Sequence, residues 1–296
     1  MSVDAGSKVD PVAERLRLLA HESPDLKDAA GIYEMILPLI RKADLKAAPV
    51  PITADDFCEK MAKGVHMLAD IDLDLDVCEV SELMSRLAYA IEKAGEKRGV
   101  SPDNTAARNI RMAVEQNLLD VSELLLHIAS GKRGPVVVAA KRLNLDPDLL
   151  WTLSLNAIRP ALQLWRRQLA PMKTEEMRWD RNYCFICGAT ATIGELRGDT
   201  QARHLRCGQC GADWRVSRLR CMYCGNEDHN SLGFIRAGDG NEKVRAEVCD
   251  KCHCYLKVIA AFFPTPPEML TVEDLVTLDM DYIAKERGYI KHPPPG

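Results

Sequence analysis

Apolar residues recur at three- and four-residue spacing through about the first 170 residues, which is the spacing of side chains along one face of an α-helix. The longest such stretch, 105–130, is predicted to form one helix, and Thr53 and Ser81 are predicted to cap two of the others. Helices of this length can bury a common core, so this half of the chain is predicted to be helical. The stretches that carry the pattern are 32–40, 57–68, 83–91, 105–130, 136–143 and 151–169.

Beyond Pro171 the pattern changes to short runs typical of β-strands, separated by turns that contain glycine. Helical spacing returns over 271–283 and predicts one helix that ends by Gly288, followed by a tail, 291–296, predicted to be disordered. The second half of the chain is therefore predicted to hold small β-ribbons and a final helix. The predicted strands are 191–196, 202–206, 214–218, 232–235 and 244–248.

The composition is ordinary for a globular protein. Hydrophobic residues make up 47% of the 296 positions and charged residues 28%, with a formal net charge of −4. The first residues lack a basic segment followed by an apolar one, and no apolar run approaches the roughly 18 residues of a membrane span. We therefore expect a cytoplasmic protein, in which paired cysteines indicate metal or redox sites before they indicate disulfides.

Eight of the eleven cysteines form four Cys-x-x-Cys pairs. Two intervening residues let a tight turn present both sulfurs to one ion, and two pairs complete a tetrahedral site of four thiolates. Gly188, Gly211 and Gly225 follow three of the pairs and suit the left-handed backbone of such a turn. The eight predicted ligands are Cys184, Cys187, Cys207, Cys210, Cys221, Cys224, Cys249 and Cys252.

The order of the pairs favours two tandem sites. Sequential pairing leaves 19 residues between the first two pairs and 24 between the last two, whereas a cross-braced arrangement leaves 33 and 38. Four thiolates fill each site, so no position stays open for water or substrate, and metal-assisted hydrolysis is disfavoured. Iron would permit one-electron chemistry, and the spacing does not separate iron from zinc.

The motifs around the pairs resemble those of the formate dehydrogenase accessory protein family, FdhE. Together they span about 110 residues of the C-terminal half, and their combination is far more specific than any single pair. Phe185, where the family commonly has proline, and the additional Cys254 are departures that remove no predicted ligand. The matching segments are 184–188, 205–214, 220–225, 246–257, 272–282 and 286–289.

The resemblance implies an α+β fold: an N-terminal α-helical domain, two tandem rubredoxin-like or zinc-ribbon-like metal-binding modules and a C-terminal helix. The predicted boundaries are 1–178 for the helical domain, 179–218 and 219–264 for the modules, and 265–296 for the helix and tail.

The same resemblance implies two bound metal ions, with iron favoured and zinc as the alternative. It also implies a cytoplasmic maturation factor that is not an enzyme. Its expected partner is the catalytic subunit of a formate dehydrogenase, and the twin-arginine signal region of that subunit is a candidate contact.

Two other functions remain open: a rubredoxin-like electron carrier and a zinc-ribbon protein that binds nucleic acid. Eight thiolates add eight negative charges and two divalent ions add four positive ones, which brings the net charge from −4 to −8. That balance and the few aromatic residues disfavour nucleic acid as a partner.

Two features of the helical half also carry expectations. Cys58 and Cys78 have no paired neighbour and are predicted to be buried as small hydrophobic residues. The alternating acidic run 70–76 lacks the glycine and the closing glutamate of a calcium loop, so it is predicted to be an acidic loop between helices. Its Asp72 and Asp74 are candidate contacts for the basic end of an export signal.

Overall fold

The computed structural model describes residues 10–96, 102–129, 131–237 and 243–291. In these ranges a helical N-terminal part precedes a seven-stranded sheet, and two further helices lie between the sixth and seventh strands. The mixed helix-and-sheet fold predicted from the sequence is therefore confirmed. No helix within the described ranges has both the length and the apolar character needed to span a bilayer. The tail beyond residue 291 lies outside the described residues.

Within the described ranges, eight α-helices precede the sheet and two lie between its last two strands. The first eight are α1 (Pro11–Glu22), α2 (Lys27–Lys42), α3 (Ala54–Lys63), α4 (Val77–Glu96), α5 (Pro102–Glu115), α6 (Val121–Ala129), α7 (Arg133–Arg142) and α8 (Pro147–Leu169). The last two are α9 (Leu270–Val276) and α10 (Leu278–Glu286).

Side-chain oxygens at the N-termini decide where several helices begin. Thr53 and Asp56 form a reciprocal capping box at α3, which confirms the predicted cap. At α4 the prediction was wrong, because the carboxylate of Asp76 accepts the amides at the helix start. Ser81 lies inside α4 and its hydroxyl donates to the carbonyl of Val77.

Two predicted helices are each divided in two. The stretch 105–130 breaks between α5 and α6, because Asn117 has a left-handed φ of 53° and Asp120 accepts the amide of Glu123 to start a new helix. The stretch 271–283 breaks between α9 and α10 at Thr277, whose backbone angles, φ of −102° and ψ of 22°, are not helical. Apolar periodicity continues through both breaks, so it does not reveal them.

The seven strands form one sheet with the order β3–β2–β1–β6–β5–β4, and β7 pairs with β6. Its connections are antiparallel except for the parallel pairs β1–β6 and β6–β7. The five predicted strands are present, β2 and β4 with the predicted ends and the other three with shifted ends. The strands are β1 (Ile193–Arg197), β2 (Ala202–Arg206), β3 (Asp213–Arg215), β4 (Leu232–Ile235), β5 (Val244–Cys249), β6 (Cys254–Ala261) and β7 (Ile290–Lys291).

The central strand β6 was not predicted as a strand, although it joins the two halves of the sheet. Its first six residues are buried, including Lys257. Because both faces of β6 are covered, it lacks the alternation of a half-exposed strand. The sheet is thus continuous across the predicted boundary between the two modules, and the domain boundaries remain a prediction.

One hydrophobic core extends from the helices into the sheet. It contains Leu16, Leu87 and Trp165 of the helical part together with Cys184 and Cys207 of the cysteine-rich part. A smaller core lies where α10 covers one face of β4, β5 and β6. The first cysteine cluster is therefore held inside the main core of the protein.

The two isolated cysteines of the helical part are not buried. Cys58 on α3 and Cys78 on α4 are both exposed, so the prediction that they pack as small hydrophobic residues was wrong. Each lies on the outward face of its helix, whereas Phe57 and Val80 beside them are buried.

Candidate metal centres

Every Cys-x-x-Cys pair forms the same tight turn. The amide of the residue after the second cysteine donates to the carbonyl of the first cysteine, over 2.8–3.0 Å. In three pairs that residue is Gly188, Gly211 or Gly225, with φ of 76°, 79° and 72°. In the fourth it is His253, which adopts a φ of 54°. The shared turn explains why two sulfurs of one pair point to the same side.

The first cluster consists of Cys184, Cys187, Cys207 and Cys210, whose four Sγ atoms all lie within 4.8 Å of one another. The Sγ atoms of Cys184 and Cys210 are 3.5 Å apart, as are those of Cys187 and Cys207. Four sulfurs at about 2.3 Å from one ion would be about 3.8 Å apart in a tetrahedron, whereas a disulfide bond is about 2.0 Å long. The spacing fits an ion between the sulfurs.

The second cluster consists of Cys221, Cys224, Cys249 and Cys252, again within 4.8 Å. Its cross-pair Sγ distances, Cys221 to Cys252 and Cys224 to Cys249, are both 3.7 Å. The structure thus places the four pairs in two sequential groups and confirms the tandem arrangement over the cross-brace. Two groups of this geometry could hold two metal ions, and the assignment of the eight cysteines as ligands remains a prediction.

The two clusters differ in their exposure to solvent. All four cysteines of the first cluster are buried, with Cys187 the most exposed at 9%. In the second cluster Cys221 and Cys249 are buried, but Cys252 is half-buried and Cys224 is exposed. An ion in the second cluster would therefore be open to chelators, oxidants and electron donors, and one in the first would not.

The thiols of the first cluster interact strongly. Burial raises the pKa of Cys184 and of Cys210 well above the usual value. The pKa of Cys207 is well below it, because the thiols of Cys184, Cys187 and Cys210 donate hydrogen bonds to its sulfur. A divalent ion replaces the shared protons, so metal affinity is expected to rise with pH as the remaining thiols lose theirs.

In the second cluster, burial raises the pKa of Cys221 to about 11. The pKa of Cys249 is lowered although burial opposes this, because the amides of Cys252 and Lys251 point at its sulfur. The amide side chain of Asn226 also approaches Cys249 Sγ, at 3.8 Å. Such donors stabilise the negative charge of a thiolate site. Asn226 is buried and was missed by the sequence analysis, although it follows Gly225 directly.

The first cluster is fastened to the helical part of the protein. The amides of Met67 and Leu68, in the segment between α3 and α4, donate to the carbonyls of Phe185 and Ile186 over 2.7 and 3.0 Å. A Cβ atom on Gly188 would lie 2.6 Å from Cδ2 of His66, so this position admits only glycine without rearrangement.

Aromatic side chains surround the same cluster. The ring of Phe185 lies edge-on to Trp179 and to Trp214, with centroid distances of 6.4 and 6.5 Å. The indole N–H groups of both tryptophans donate to backbone carbonyls of the segment that leads into the first pair. Phe185, which departs from the family motif, is therefore part of this packing.

Comparison with known proteins agrees with this architecture. A family model described as FdhE, C-terminal domain, matches residues 219–295. Protein FdhE of Escherichia coli (strain K12) is 26% identical over 288 residues, which cover 94% of this chain and 84% of the E. coli protein. The chain is thus similar to FdhE proteins over nearly its whole length, and its last part matches the C-terminal domain of that family.

Two other FdhE proteins are similar to this chain. The Protein FdhE homolog of Aquifex aeolicus (strain VF5) is 30% identical over 155 residues, and the match spans about half of each protein, 50% of this chain and 52% of that one. The crystal structure of the FdhE protein from Pseudomonas aeruginosa superposes with a TM-score of 0.61, covering 96% of this chain and 92% of that one at 22% identity. That likeness shows a common fold.

Proposed function

We propose that each cluster binds one metal ion through its four thiolates, with iron favoured and zinc as the alternative. The donor set of four soft sulfurs and the Sγ spacing support this proposal. A bound ion would cross-link β-turns from distant parts of the chain and, if it is iron, could carry one electron. The protein supplies the turns that orient the sulfurs and the amides that face them.

Because the two clusters differ in their exposure to solvent, we expect their metal ions to be released in two phases. With both clusters loaded, a chelator should remove one equivalent at least about tenfold faster than the other, because Cys224 of the second cluster is exposed. A coloured chelator followed by absorbance measures both phases. Cys224→Ser should abolish the fast phase and keep the slow one. A single phase releasing both equivalents would contradict the difference between the clusters.

Similarity to FdhE proteins supports a formate dehydrogenase accessory role. We infer that the chain acts in the cytoplasm as a maturation factor, without catalysing formate chemistry, and that it binds the catalytic subunit of the dehydrogenase. The similarity to Protein FdhE of Escherichia coli over 94% of this chain carries this inference.

The acidic loop of residues 70–76 is the contact we propose for the twin-arginine signal region. Ile71, Leu73 and Leu75 pack against the main core, while Asp72 and Asp74 alternate with them and are exposed. The core therefore holds a row of carboxylates outward, which suits a basic segment of a partner.

Affinity capture from cells that make a formate dehydrogenase tests both levels of this proposal. The full chain should retain the catalytic subunit, and a double variant with Asp72→Lys and Asp74→Lys should retain at least about tenfold less. The matched control, Glu22→Lys with Asp25→Lys, changes the charge equally at exposed positions and should bind normally. Failure of the full chain to capture any dehydrogenase subunit would reject the accessory role. Normal binding by the Asp72 and Asp74 variant would reject only the loop.

The exposure of Cys224 and Cys252 favours electron transfer as a second candidate function. A carrier needs a metal close to solvent, and only the second cluster offers this. The absorption spectrum of protein purified without added metal decides between the two functions. A colourless protein with two zinc ions would exclude the electron carrier, whereas reversible bleaching of an iron–thiolate band would support it.

A further inference from the structure

A cavity of about 250 Å³ lies beside the second cluster, against one face of β4, β5 and β6. Helix α10 covers the opposite face of these strands, where Met280 and Ala284 pack. On the cavity side the other wall is the irregular segment 218–223. Cys221 and Cys249 are among the lining residues, so the cavity reaches the thiols of the second cluster. Its volume corresponds to about eight water molecules.

Four arginines line this cavity, against one carboxylate among the described lining residues. That carboxylate, Glu247, is shared: Arg203 donates to one oxygen over 2.8 Å and Arg245 to the other over 2.6 Å. Arg218 and Arg220 are the remaining two arginines. The four guanidinium groups together exceed the one carboxylate by three positive charges. A divalent ion with four thiolates next to the cavity carries about −2, so the surroundings stay positive when the cluster is filled.

Several of these guanidinium groups have unused donors. The Nε atoms of Arg203 and Arg245 are buried and have no hydrogen-bond partner among the described residues, and the Arg203 side chain is only 5% exposed. Arg218 is exposed and forms no ion pair with a described residue. Arg220 has one long contact, 3.7 Å to the exposed Glu227. Buried donors without partners are costly, and an acceptor in the cavity would remove that cost.

The rest of the lining is apolar. Met222, Leu232 and Leu256 contribute to the walls, and Phe234 contributes an aromatic ring that is 53% exposed. The guanidinium group of Arg245 lies 5.2 Å from the centre of that ring. A ligand would therefore meet positive charge and apolar surface together.

We propose that this cavity binds an oxyanion, a carboxylate or a phosphate, carried on a small apolar body. Arg218 and Arg220 contact the anion, which also accepts from the unpartnered Nε–H groups of Arg203 and Arg245, the two arginines that Glu247 holds in place. Guanidinium groups suit this ligand because their planar donors match two oxygens of one anion. The proposal goes beyond the accessory role, and it holds whichever metal fills the second cluster.

Phenyl phosphate is the probe, because it joins an oxyanion to an apolar ring of suitable size. Titrated into the metal-loaded full chain, it should bind at least about tenfold more tightly than inorganic phosphate, which lacks the ring. Phenol, which lacks the anion, should not compete. Amide NMR shifts should change in the segments 218–223 and 232–235 and stay constant around Cys184 and Cys207.

Matched arginine variants locate the site. Arg218→Gln and Arg220→Gln should each weaken phenyl phosphate binding about tenfold, as expected for loss of a charge-assisted hydrogen bond. Arg215→Gln removes an exposed arginine of β3 that does not line the cavity, and it should bind like the unmodified chain. Thermal unfolding checks that the three variants fold alike.

Three results would overturn the proposal. They are no binding of phenyl phosphate below about 10 mM, an equal loss in Arg215→Gln, and shift changes confined to another region. A blocked Leu-Asp-Phe tripeptide identifies the source of the anion. If it displaces phenyl phosphate and its Leu-Asn-Phe counterpart does not, the anion is a side chain of a bound polypeptide. If only phenyl phosphate binds, the ligand is a free small molecule.

Discussion

Replacing Cys207 with serine is expected to remove the metal from the first cluster and to lower the free energy of unfolding by about 5 kcal/mol or more. Cys207 is fully buried, and its sulfur is the one to which the other three thiols of the cluster donate. Serine supplies a harder oxygen ligand that is not ionised. Without the ion, three buried thiols face one another where one cross-link held two turns together.

The loss of stability in Cys207→Ser should extend to the helical part of the protein, because the first cluster lies in the same hydrophobic core as the helices. Urea unfolding is followed by circular dichroism for the helices and by fluorescence for Trp179 and Trp214, which lie beside the cluster. Both signals should shift to lower urea together, and metal analysis should give one ion for each chain. The amides of Met67 and Leu68, which bond to the first pair, provide the physical link.

The matched control is Cys58→Ser, which makes the same replacement of sulfur by oxygen on the exposed face of α3. It should leave the metal content at two and the free energy of unfolding within about 0.5 kcal/mol. If Cys207→Ser retained both ions, the residue would not be a ligand. If it lost the ion while the helical signal stayed unchanged, the cluster would not support the common core.

Replacing Asp281 with alanine is expected to lower the free energy of unfolding by about 2–3 kcal/mol. Asp281 is buried on α10 and accepts from Lys257 Nζ over 2.6 Å and from the hydroxyl of Tyr255 over 2.7 Å. Lys257 is itself only 1% exposed, and Asp274 also contacts its Nζ, through its carbonyl oxygen and through a carboxylate oxygen, each at 2.7 Å. The substitution would leave the buried ammonium group with the half-buried carboxylate of Asp274 alone, and the hydroxyl of Tyr255 without its acceptor.

Denaturant unfolding of Asp281→Ala measures this loss, and two further variants separate charge from packing. Removing both charges, in Lys257→Met with Asp281→Leu, should recover most of the stability, because no buried charge is left unpaired. Glu59→Ala breaks an exposed ion pair with Lys63 and should change the free energy by no more than about 0.5 kcal/mol. A double variant as unstable as Asp281→Ala would show that shape, rather than charge, holds α10 on the sheet.

Apolar spacing revealed most helices that have one buried face, although no predicted stretch covers α1. α2, α7 and α8 are found where that spacing predicts them, whereas α3 ends at Lys63, short of the predicted residue 68, because Gly64 adopts a left-handed φ of 70°. The breaks at Asn117 and Thr277 depend on the backbone angles of one residue each, which leave the apolar pattern intact. Strand β6 was missed for the opposite reason, because a strand covered on both faces shows no alternation.

The sequence also identified the eight cysteines and their sequential grouping, since the thiol content and the spacing of the pairs are local properties of the chain. It did not reveal Asn226 beside the second cluster or the arginine-lined cavity next to it. Arg203 and Arg245 lie 42 positions apart, and only the sheet brings both to Glu247. Burial was misjudged at Cys58 and Cys78, because a single cysteine carries no information about which face of its helix is covered.

By itself, then, the sequence determined the order of helical and strand-rich parts, the composition of both candidate metal centres and the resemblance to FdhE proteins. Only the tertiary structure decided that the first cluster is enclosed in the common core while the second reaches solvent. The turns of the two clusters are alike, so this difference comes from remote segments. The segment around His66 and Met67 packs against the first cluster, and no equivalent segment in the described part of the chain covers Cys224.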